Sequence, residues 1–448
     1  MLYAMLRFLM LITGKLYFRS ITIRNKELIP DNGPLMILAN HPSTFMDPIV
    51  IATKLNRKVC FLAKGELFKG KFAKWILPKL NIIPVYRKQD DPNQMIKNEE
   101  TFHKCYEHLE KGGAILMFPE GISITERKLR EIKTGAARIV LGAEARNKVK
   151  LNTKVITIGL NYKDPHKFNN DLFVNIGKPI NVSDYNEEYS KDTYKGARIL
   201  TEAIRLNLEK LIININDEHT EQLISKIEML YKQKLSKDLG ISENDKQADF
   251  KLTKNVVDSV NYYIQTNPDR AKKMNSRIDE YLNKLNQLGL TDSDLQQNQQ
   301  NKSLISGSIK SFLTIVVGFP IYVYGLINNY LPFEIPGRIA KKTIKRNEFK
   351  GAIVMVIGML TFIVFYTAQI VLVWKSTNQV WISTLYAISI PFTGFFAYWY
   401  FHTFEKIRAK WILMKVFYKK SMLISSLINE REQIISEFDK AKEEFSRL

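Results

Sequence analysis

Short apolar runs alternate with helix-length amphipathic stretches between residues 21 and 190. The apolar runs predict six strands, over residues 35–39, 59–63, 82–85, 114–118, 155–160 and 172–176. The stretches between them predict helices, over about residues 45–55, 66–80, 95–111 and 133–146. Because strands that alternate with helices favour an α/β fold, we expect residues 21–190 to form a central mixed sheet flanked by helices. In such sheets the functional groups lie at strand ends and in the loops that follow them.

The regions on either side of this α/β domain have different patterns. Residues 1–20 are apolar but contain Arg7 and Lys15, which favours a helix in the membrane interface whose two charges reach the headgroups. A plain core helix is the alternative for this segment. Residues 191–290 are polar, charged and helical in pattern, and predict a helical segment. Residues 291–311 are rich in glutamine and asparagine and poor in apolar side chains, which predicts a linker.

Two long uncharged stretches follow within residues 351–401. They cover 24 residues (351–374) and 22 residues (380–401), and each is long enough to cross a hydrocarbon core of roughly 30 Å. This pattern predicts a transmembrane helical hairpin. A third apolar stretch, residues 312–335, contains proline, glycine and paired asparagines, and we expect a re-entrant or interfacial segment there.

Basic residues cluster at both feet of the predicted hairpin. Lysines and arginines are frequent in residues 338–350 and at the start of residues 402–448, whereas the tip holds only Lys375. The positive-inside rule therefore puts both feet in the cytoplasm, with residues 402–448 as a cytoplasmic helical tail. A cytoplasmic α/β domain requires that residues 312–335 do not cross the membrane once. Three full spans with that domain outside is the competing topology.

The overall charge points to an anionic partner. Lysine and arginine exceed aspartate and glutamate by 21, and the isoelectric point is near 9.6. Together with the hydrophobic spans, this excess favours membrane lipids, and the chain has no signature of a nucleic-acid-binding module. Cys60 and Cys105 lack the spacing of a metal site or a disulfide framework, so we expect neither.

The first candidate site is the sequence NHPSTFMDP, which follows the apolar run at residues 35–39. A neutral imidazole can take a proton from a hydroxyl, and a carboxylate bonded to its other ring nitrogen fixes the tautomer. Five residues separate His41 from Asp47, so a turn over residues 42–46 is required to bring the two side chains together. The pair alone does not distinguish a catalytic couple from two neighbours. Ser43 lies in no nucleophile-elbow motif, so we do not expect a serine nucleophile.

Two further stretches place charged groups at strand ends. Arg87 follows the strand predicted over residues 82–85, and a guanidinium there can bond two phosphate oxygens at once. The sequence FPEG follows another strand, where Glu120 presents a carboxylate and Gly121 permits a close approach of the backbone. Alone, FPEG is also compatible with an ordinary turn.

Taken in order, these stretches resemble a known family. NHPSTFMDP, NIIPVYR, FPEGISIT and VITIGL resemble the four ordered blocks of the glycerolphosphate and lysophosphatidate acyltransferases, and LAKGELF before the second block is also similar. The resemblance covers roughly residues 30–180. This chain departs from the family's usual pattern in its five-residue spacer, in Asn81 where glycine is frequent, and in Thr157 where proline is frequent. The longer spacer is similar to that of the membrane-anchored glycerol-3-phosphate/dihydroxyacetone-phosphate acyltransferases.

The resemblance implies a function and a role for each matching residue. His41 would be the general base and Asp47 its orienting partner. The acceptor phosphate and the rest of the acceptor would be bound by a second group of residues: Arg87 and Lys64 for the phosphate, and Glu120, Gly121 and Ser123 for the acceptor. The acyl donor would be acyl-CoA or acyl carrier protein as co-substrate, with no cofactor and no metal.

The expected activity is acylation of glycerol 3-phosphate, or of a related phosphorylated glycerol, in phospholipid synthesis. A 1-acylglycerol-3-phosphate or other lysophospholipid acyltransferase is the alternative within the enzyme class. A non-catalytic membrane scaffold is the alternative outside it. We expect the α/β domain on the cytoplasmic face of the inner membrane in a bacterium, or of the endoplasmic reticulum in a eukaryote.

Overall fold

The structure is a computed structural model that describes residues 2–87, 92–148, 150–242, 244–300, 304–419 and 421–447. It divides into two compact units. The first unit comprises Met1–Asn214 and Ile339–Val356, and the second comprises Ile215–Arg338 and Ile357–Leu448.

A mixed sheet forms the centre of the first unit. Its strands are β1 (Phe18–Arg24), β2 (Leu35–Ala39), β3 (Val59–Lys64), β4 (Ile82–Val85), β5 (Ala114–Met117), β6 (Lys154–Tyr162), β7 (Asn170–Ile176) and β8 (Ile180–Asn181). The order is β1-β7-β6-β2-β5-β3-β4, and β8 pairs with β6. β6 pairs antiparallel with β7 and β8, and the other pairs are parallel, so the predicted mixed sheet is confirmed.

Helices cover both faces of this sheet. They are α1 (Leu2–Tyr17), α2 (Met46–Lys54), α3 (Lys71–Lys79), α4 (Asn98–Glu110), α5 (Gly135–Arg146), α6 (Asn186–Lys191) and α7 (Thr193–Leu211). β2 shows why the predicted strand is a continuous apolar run. Met36 and Leu38 belong to one buried cluster, whereas Leu35 and Ile37 belong to the cluster on the other face. A central strand that is covered on both faces needs apolar side chains at every position.

The N-terminal segment differs from the prediction of one interfacial helix over residues 1–20. α1 ends at Tyr17, and β1 follows at once and pairs parallel with β7. Arg7 does not reach toward headgroups, because its guanidinium donates hydrogen bonds to the carbonyls of Ala52, at 2.9 Å, and Leu55. It thereby satisfies free carbonyl groups at the C-terminal end of α2.

The described residues of the second unit form helices and the loops between them, with no strand. Its helices, some of which continue into the first unit, are α8 (Glu218–Asp238), α9 (Lys246–Thr266), α10 (Pro268–Gln287), α11 (Asp292–Gln300), α12 (Leu304–Thr343), α13 (Asn347–Thr377), α14 (Val380–Lys419) and α15 (Ser421–Ser446). The prediction of a linker over residues 291–311 is wrong for α11 and for the first turns of α12. Asp292 is buried at the start of α11, and its carboxylate accepts hydrogen bonds from Arg431 at 2.8 Å and Tyr281 at 2.7 Å.

Three helices in the described residues are long and apolar enough to cross a membrane. The candidate spans are Ile315–Thr343, Asn347–Thr377 and Val380–Glu405. Residues 312–335, predicted as a separate hydrophobic segment, lie within the longer helix α12. Prolines inside α12 are compatible with such a helix, because neighbouring helices can satisfy the freed backbone groups. Three apolar helices of this length indicate a membrane protein.

Neutral polar side chains connect these three helices at the middle of α12. The Tyr366 hydroxyl donates to Asn329 Oδ1 at 2.5 Å, and Asn329 Nδ2 donates to the Ile390 carbonyl at 3.2 Å. Asn328 accepts from Gln369 at its backbone carbonyl and from Tyr386 at Oδ1, at 3.0 and 2.6 Å. Such hydrogen bonds stabilise helix packing where no water is present to replace them.

Candidate active site

The predicted contact between His41 and Asp47 is present at the end of β2. The strand ends at Ala39, a short loop carries His41, and α2 begins at Met46 with Asp47 in its first turn. His41 Nδ1 lies 2.8 Å from Asp47 Oδ2. Because an ionised carboxylate only accepts hydrogen bonds, this contact places the proton on Nδ1 and leaves Nε2 of a neutral ring as an acceptor.

Asp47 is fully buried and has a hydrogen-bond donor at each oxygen. Besides His41, the backbone N–H of Ser43 donates to Oδ2 and the Tyr162 hydroxyl donates to Oδ1, both at 2.8 Å. Burial and the neighbouring Asp47 carboxylate raise the pKa of Tyr162 well above its usual value, so this phenol remains a donor. The position in the first turn of α2 also favours the negative charge. These partners fix the carboxylate, and hence the orientation of the imidazole.

The turn between the two residues contains a left-handed residue. Thr44 has φ of +36°, a conformation that is costly for a residue with a branched side chain. Its backbone N–H donates to Ser123 Oγ at 2.9 Å, and its hydroxyl donates to the Glu348 carbonyl at 3.0 Å. Ser123, predicted to bind the acceptor, therefore contacts the histidine loop directly.

Glu120 also holds the histidine loop. Its Oε1 accepts the backbone N–H of His41 at 3.0 Å, and its Oε2 accepts that of Arg130 at 3.2 Å. Burial raises the pKa of Glu120 to about 7, while the two backbone donors and His41 oppose this rise. A role of Glu120 in acceptor binding remains a prediction, and the contacts show a carboxylate that joins two loops.

Arg87 lies next to the glycine of FPEG. Its guanidinium donates a hydrogen bond to the Gly121 carbonyl, and Gly121 has φ of +71°. Lys64 is the last residue of β3 and is paired in register with Val85, two residues before Arg87. Its ammonium lies 2.5 Å from Glu66 Oε2. The fold thus brings Arg87 to the loop that follows β5, and it places Lys64 in an ion pair at the same edge of the sheet.

Two contacts at the site were not predicted from the sequence. The ring of Phe118 stacks on His41 with a centroid distance of 3.9 Å and an interplanar angle of 11°. Tyr162 is the last residue of β6 and lies just beyond the sequence VITIGL. The alternation along β6 puts Tyr162 on the same face as Leu160 and Ile158, and this was the one available signal for it.

The described residues contain no group of three or more histidine, cysteine or acidic side chains that could hold a metal ion. Cys60 and Cys105 are both buried in the core of the first unit, and burial raises the pKa of each thiol to about 12. Neither thiol is therefore a reactive nucleophile at neutral pH.

A buried aspartate that orients a partly exposed histidine, at the carboxyl edge of a sheet, is an arrangement that can support general-base chemistry. Residues 20–161 match the family model described as Acyltransferase, so the first unit contains an acyltransferase-family domain and the predicted family is confirmed.

The chain is also similar to curated proteins that are named as acyltransferases. The chain is 29% identical over 147 residues to "Glycerol-3-phosphate O-acyltransferase 1" of Saccharomyces cerevisiae, covering 32% of this chain and 19% of the relative. It is 24% identical over 367 residues to "Glycerol-3-phosphate O-acyltransferase 2" of that yeast, covering 76% and 47%. It is 28% identical over 120 residues to the chloroplastic 1-acyl-sn-glycerol-3-phosphate acyltransferase LPAT1 of Arabidopsis thaliana, covering 27% and 32%. The chain thus spans less than half the length of each of these relatives.

A solved structure is also similar. It is the 1-acyl-sn-glycerophosphate acyltransferase PlsC from Thermotoga maritima, at 19% identity, with coverage of 44% of this chain and 74% of that chain and a TM-score of 0.32.

Proposed function

We propose that this protein transfers a fatty acyl group from a thioester donor to a hydroxyl of glycerol 3-phosphate or a related phosphorylated glycerol. The observation that carries the proposal is the 2.8 Å contact between His41 Nδ1 and a buried Asp47 carboxylate. This contact leaves Nε2 of the ring to accept a proton. The names of the two yeast relatives support glycerol 3-phosphate as the acceptor.

The reaction needs one proton acceptor that later becomes a donor. The acceptor hydroxyl gives its proton to His41 Nε2 as its oxygen attacks the thioester carbonyl carbon. The tetrahedral intermediate then collapses, the carbon–sulfur bond breaks, and the imidazolium returns the proton to the leaving thiolate. Asp47 stabilises the imidazolium through the Nδ1–H bond. A positioned general base contributes a factor of about 10²–10⁴ in rate.

Arg87 is the proposed ligand of the acceptor phosphate. Its bond to the Gly121 carbonyl fixes the guanidinium beside the loop that also holds His41 through Glu120. A guanidinium can offer two parallel N–H groups to a phosphate while it keeps one bond to the protein. Lys64 would add positive charge at the same sheet edge.

Lysophosphatidate is the second candidate acceptor. It presents the same phosphate and a free hydroxyl, and the name of the Arabidopsis relative supports it. A long acyl chain gains about 0.8 kcal/mol per buried methylene, so both acyl donor and product favour a membrane location.

The contacts of α12 support a re-entrant course for this helix. Ile315 accepts a hydrogen bond from Tyr400, and Pro332 accepts one from Thr361. Both partners lie far from the hairpin tip at Asn378, by 22 and 17 residues along the chain.

The middle of α12 contacts the hairpin much nearer its tip. Asn328 bonds Gln369 and Tyr386, which are nine and eight residues from Asn378. If α13 and α14 both cross the membrane, Ile315 and Pro332 therefore lie nearer the feet of the hairpin than Asn328 does. We infer that α12 bends near its internal prolines Pro332 and Pro336, and that it enters and leaves on one side. Because the first unit includes the basic connection Ile339–Val356, the positive-inside rule puts this unit in the cytoplasm.

A purified-protein assay tests the activity. The full chain in detergent is given radiolabelled acyl-CoA with either glycerol 3-phosphate or lysophosphatidate, and the acylated product is counted. His41→Ala should lower transfer by a factor of about 10²–10⁴, whereas His103→Ala, an exposed histidine on α4, should retain it. Equal transfer by His41→Ala and wild type would refute the general-base role. Absence of transfer by wild type with both acceptors would support the alternative of a non-catalytic membrane scaffold.

Cysteine labelling in sealed vesicles tests the topology. The proposal predicts that Thr291→Cys and Lys345→Cys react with an impermeant maleimide from the same side, and Ser376→Cys from the other. Reaction of Thr291→Cys from the side of Ser376→Cys would instead establish three full spans.

A further inference from the structure

The connection between α12 and α13 lies across both loops of the candidate site. The Arg346 guanidinium donates to the Ser123 carbonyl at 3.0 Å, and the Glu348 carbonyl accepts the Thr44 hydroxyl at 3.0 Å. The ring of Phe349 meets that of Phe45 edge-on, at a centroid distance of 5.9 Å. All of these residues belong to the first unit.

The connection is itself fixed by packing and by an internal ion pair. Ala352 and Met355, in the first turns of α13, are buried in the cluster on the α2 face of the sheet. The Glu348 carboxylate is largely buried and accepts Arg346 Nε at 2.6 Å. Gly351 passes so close to the Pro165 carbonyl that a side chain at position 351 would collide with it. Residues 346–349 therefore form a firm support.

We propose that residues 346–349 are a positioning strap that holds Thr44 in its left-handed conformation and so keeps Asp47 on His41. Thr44 lies midway between His41 and Asp47 in the sequence, and its conformation determines how the turn closes. Ser123 Oγ holds the backbone of Thr44 from one side, and the Glu348 carbonyl holds its hydroxyl from the other. Without the contact to the Glu348 carbonyl, Thr44 can relax to a negative φ and draw α2 away from the His41 ring. This inference rests on the proposed acyltransferase function.

The family resemblance does not predict this strap, because Thr44 and Glu348 are 304 residues apart in sequence. The strap also gives the segment that enters α13 a role within the candidate site. It is a contact within one chain, so this whole chain is the right material for its test.

The test compares Thr44→Val, which removes the hydroxyl and keeps the shape, with Thr44→Ser, which keeps the hydroxyl. A lost neutral hydrogen bond corresponds to a factor of about five, so Thr44→Val should lower kcat about fivefold or more with little change in either KM. Thr44→Ser should recover most of this loss. Thr53→Val is the matched control, because the Thr53 hydroxyl is also buried but bonds within α2, to Val50.

A second variant tests the strap from its other end. Arg346→Gln removes the charge that holds Glu348 and the bond to Ser123, and it should lower kcat in the same direction as Thr44→Val. The kcat of the double variant should be little lower than that of either single variant, because both substitutions disrupt the same support of Thr44.

The outcomes separate this inference from the proposed function. Wild-type kcat in Thr44→Val, or equal losses in Thr44→Val and Thr44→Ser, would overturn the strap while transfer by wild type stands. No transfer by wild type would overturn the function instead. Melting curves in detergent report folding, and kcat is taken per folded molecule.

Discussion

Glu120→Gln isolates the effect of one buried carboxyl on stability. Burial raises the pKa of Glu120 to about 7 from its usual value of 4.5. The folded state therefore binds this proton more tightly than the unfolded state does. Stability falls with pH wherever the folded state carries more protons, so wild type loses stability from about pH 4.5 up to about pH 7. The glutamine variant has no such proton and lacks this loss.

The magnitude follows from the shift. Each pKa unit corresponds to about 1.4 kcal/mol, so the rise in the pKa of Glu120 amounts to about 3 kcal/mol. For a folding unit of about 200 residues, 1 kcal/mol moves the melting midpoint by roughly 2–4 °C. The midpoint of wild type should therefore fall by roughly 6–12 °C relative to Glu120→Gln between pH 4.5 and pH 7.5.

Thermal melts of both proteins in one detergent, at half-unit steps of pH, measure this difference. Glu131→Gln is the matched control, because this carboxylate is 83% exposed and pairs with Lys133 in the same loop region. A difference between wild type and Glu120→Gln that is flat with pH would refute the reasoning. So would a difference of opposite slope, since it would mean that the folded state favours the carboxylate.

Two further variants address the groups around the proposed base and phosphate ligand. Tyr162→Phe removes the donor at Asp47 Oδ1 and should lower kcat about tenfold, because a lost hydrogen bond to a charged group costs roughly 1.4 kcal/mol. Steady-state kinetics measure this loss. An unchanged kcat would contradict a positioning role for Tyr162. Arg87→Lys keeps the charge but loses the paired N–H groups, so the KM for glycerol 3-phosphate should rise about tenfold while that for acyl-CoA stays constant. Equal changes in both KM values would argue against a phosphate ligand at this position.

The local sequence pattern predicted the elements whose buried residues are consecutive in the sequence. The predicted strand over residues 35–39 is β2, and that over residues 82–85 is β4, because a buried strand needs an unbroken apolar run. The His41–Asp47 contact was also predictable, since the spacer is short and ends at a helix start. Local pattern determined these features because their partners lie within a few residues or are set by the sheet.

Features that depend on distant residues were missed or misread. The polar sequence after Leu290 predicted a linker, but Asp292 starts α11 because Arg431, 139 residues away, neutralises it. The first three residues of β1 were predicted as the end of a helix, since the pairing of β1 with β7 lies about 150 residues further along. Tyr162 had only the alternation of β6 to mark it. In each case the stabilising partner is distant in the sequence, so the pattern of neighbouring residues does not reveal it.

The five-residue spacer and the segment that enters α13 are linked by one residue. A spacer longer than the family's usual one must absorb extra backbone between a strand end and a helix start, and the left-handed Thr44 does this. A threonine adopts that conformation only where its surroundings hold it. The hydroxyl of Thr44 is held by the Glu348 carbonyl, which lies in the first turn of the helix that enters the candidate hairpin. The longer spacer and the segment that enters α13 are thus parts of one proposed arrangement: the spacer creates a strained turn, and the Glu348 carbonyl supplies the contact that stabilises it.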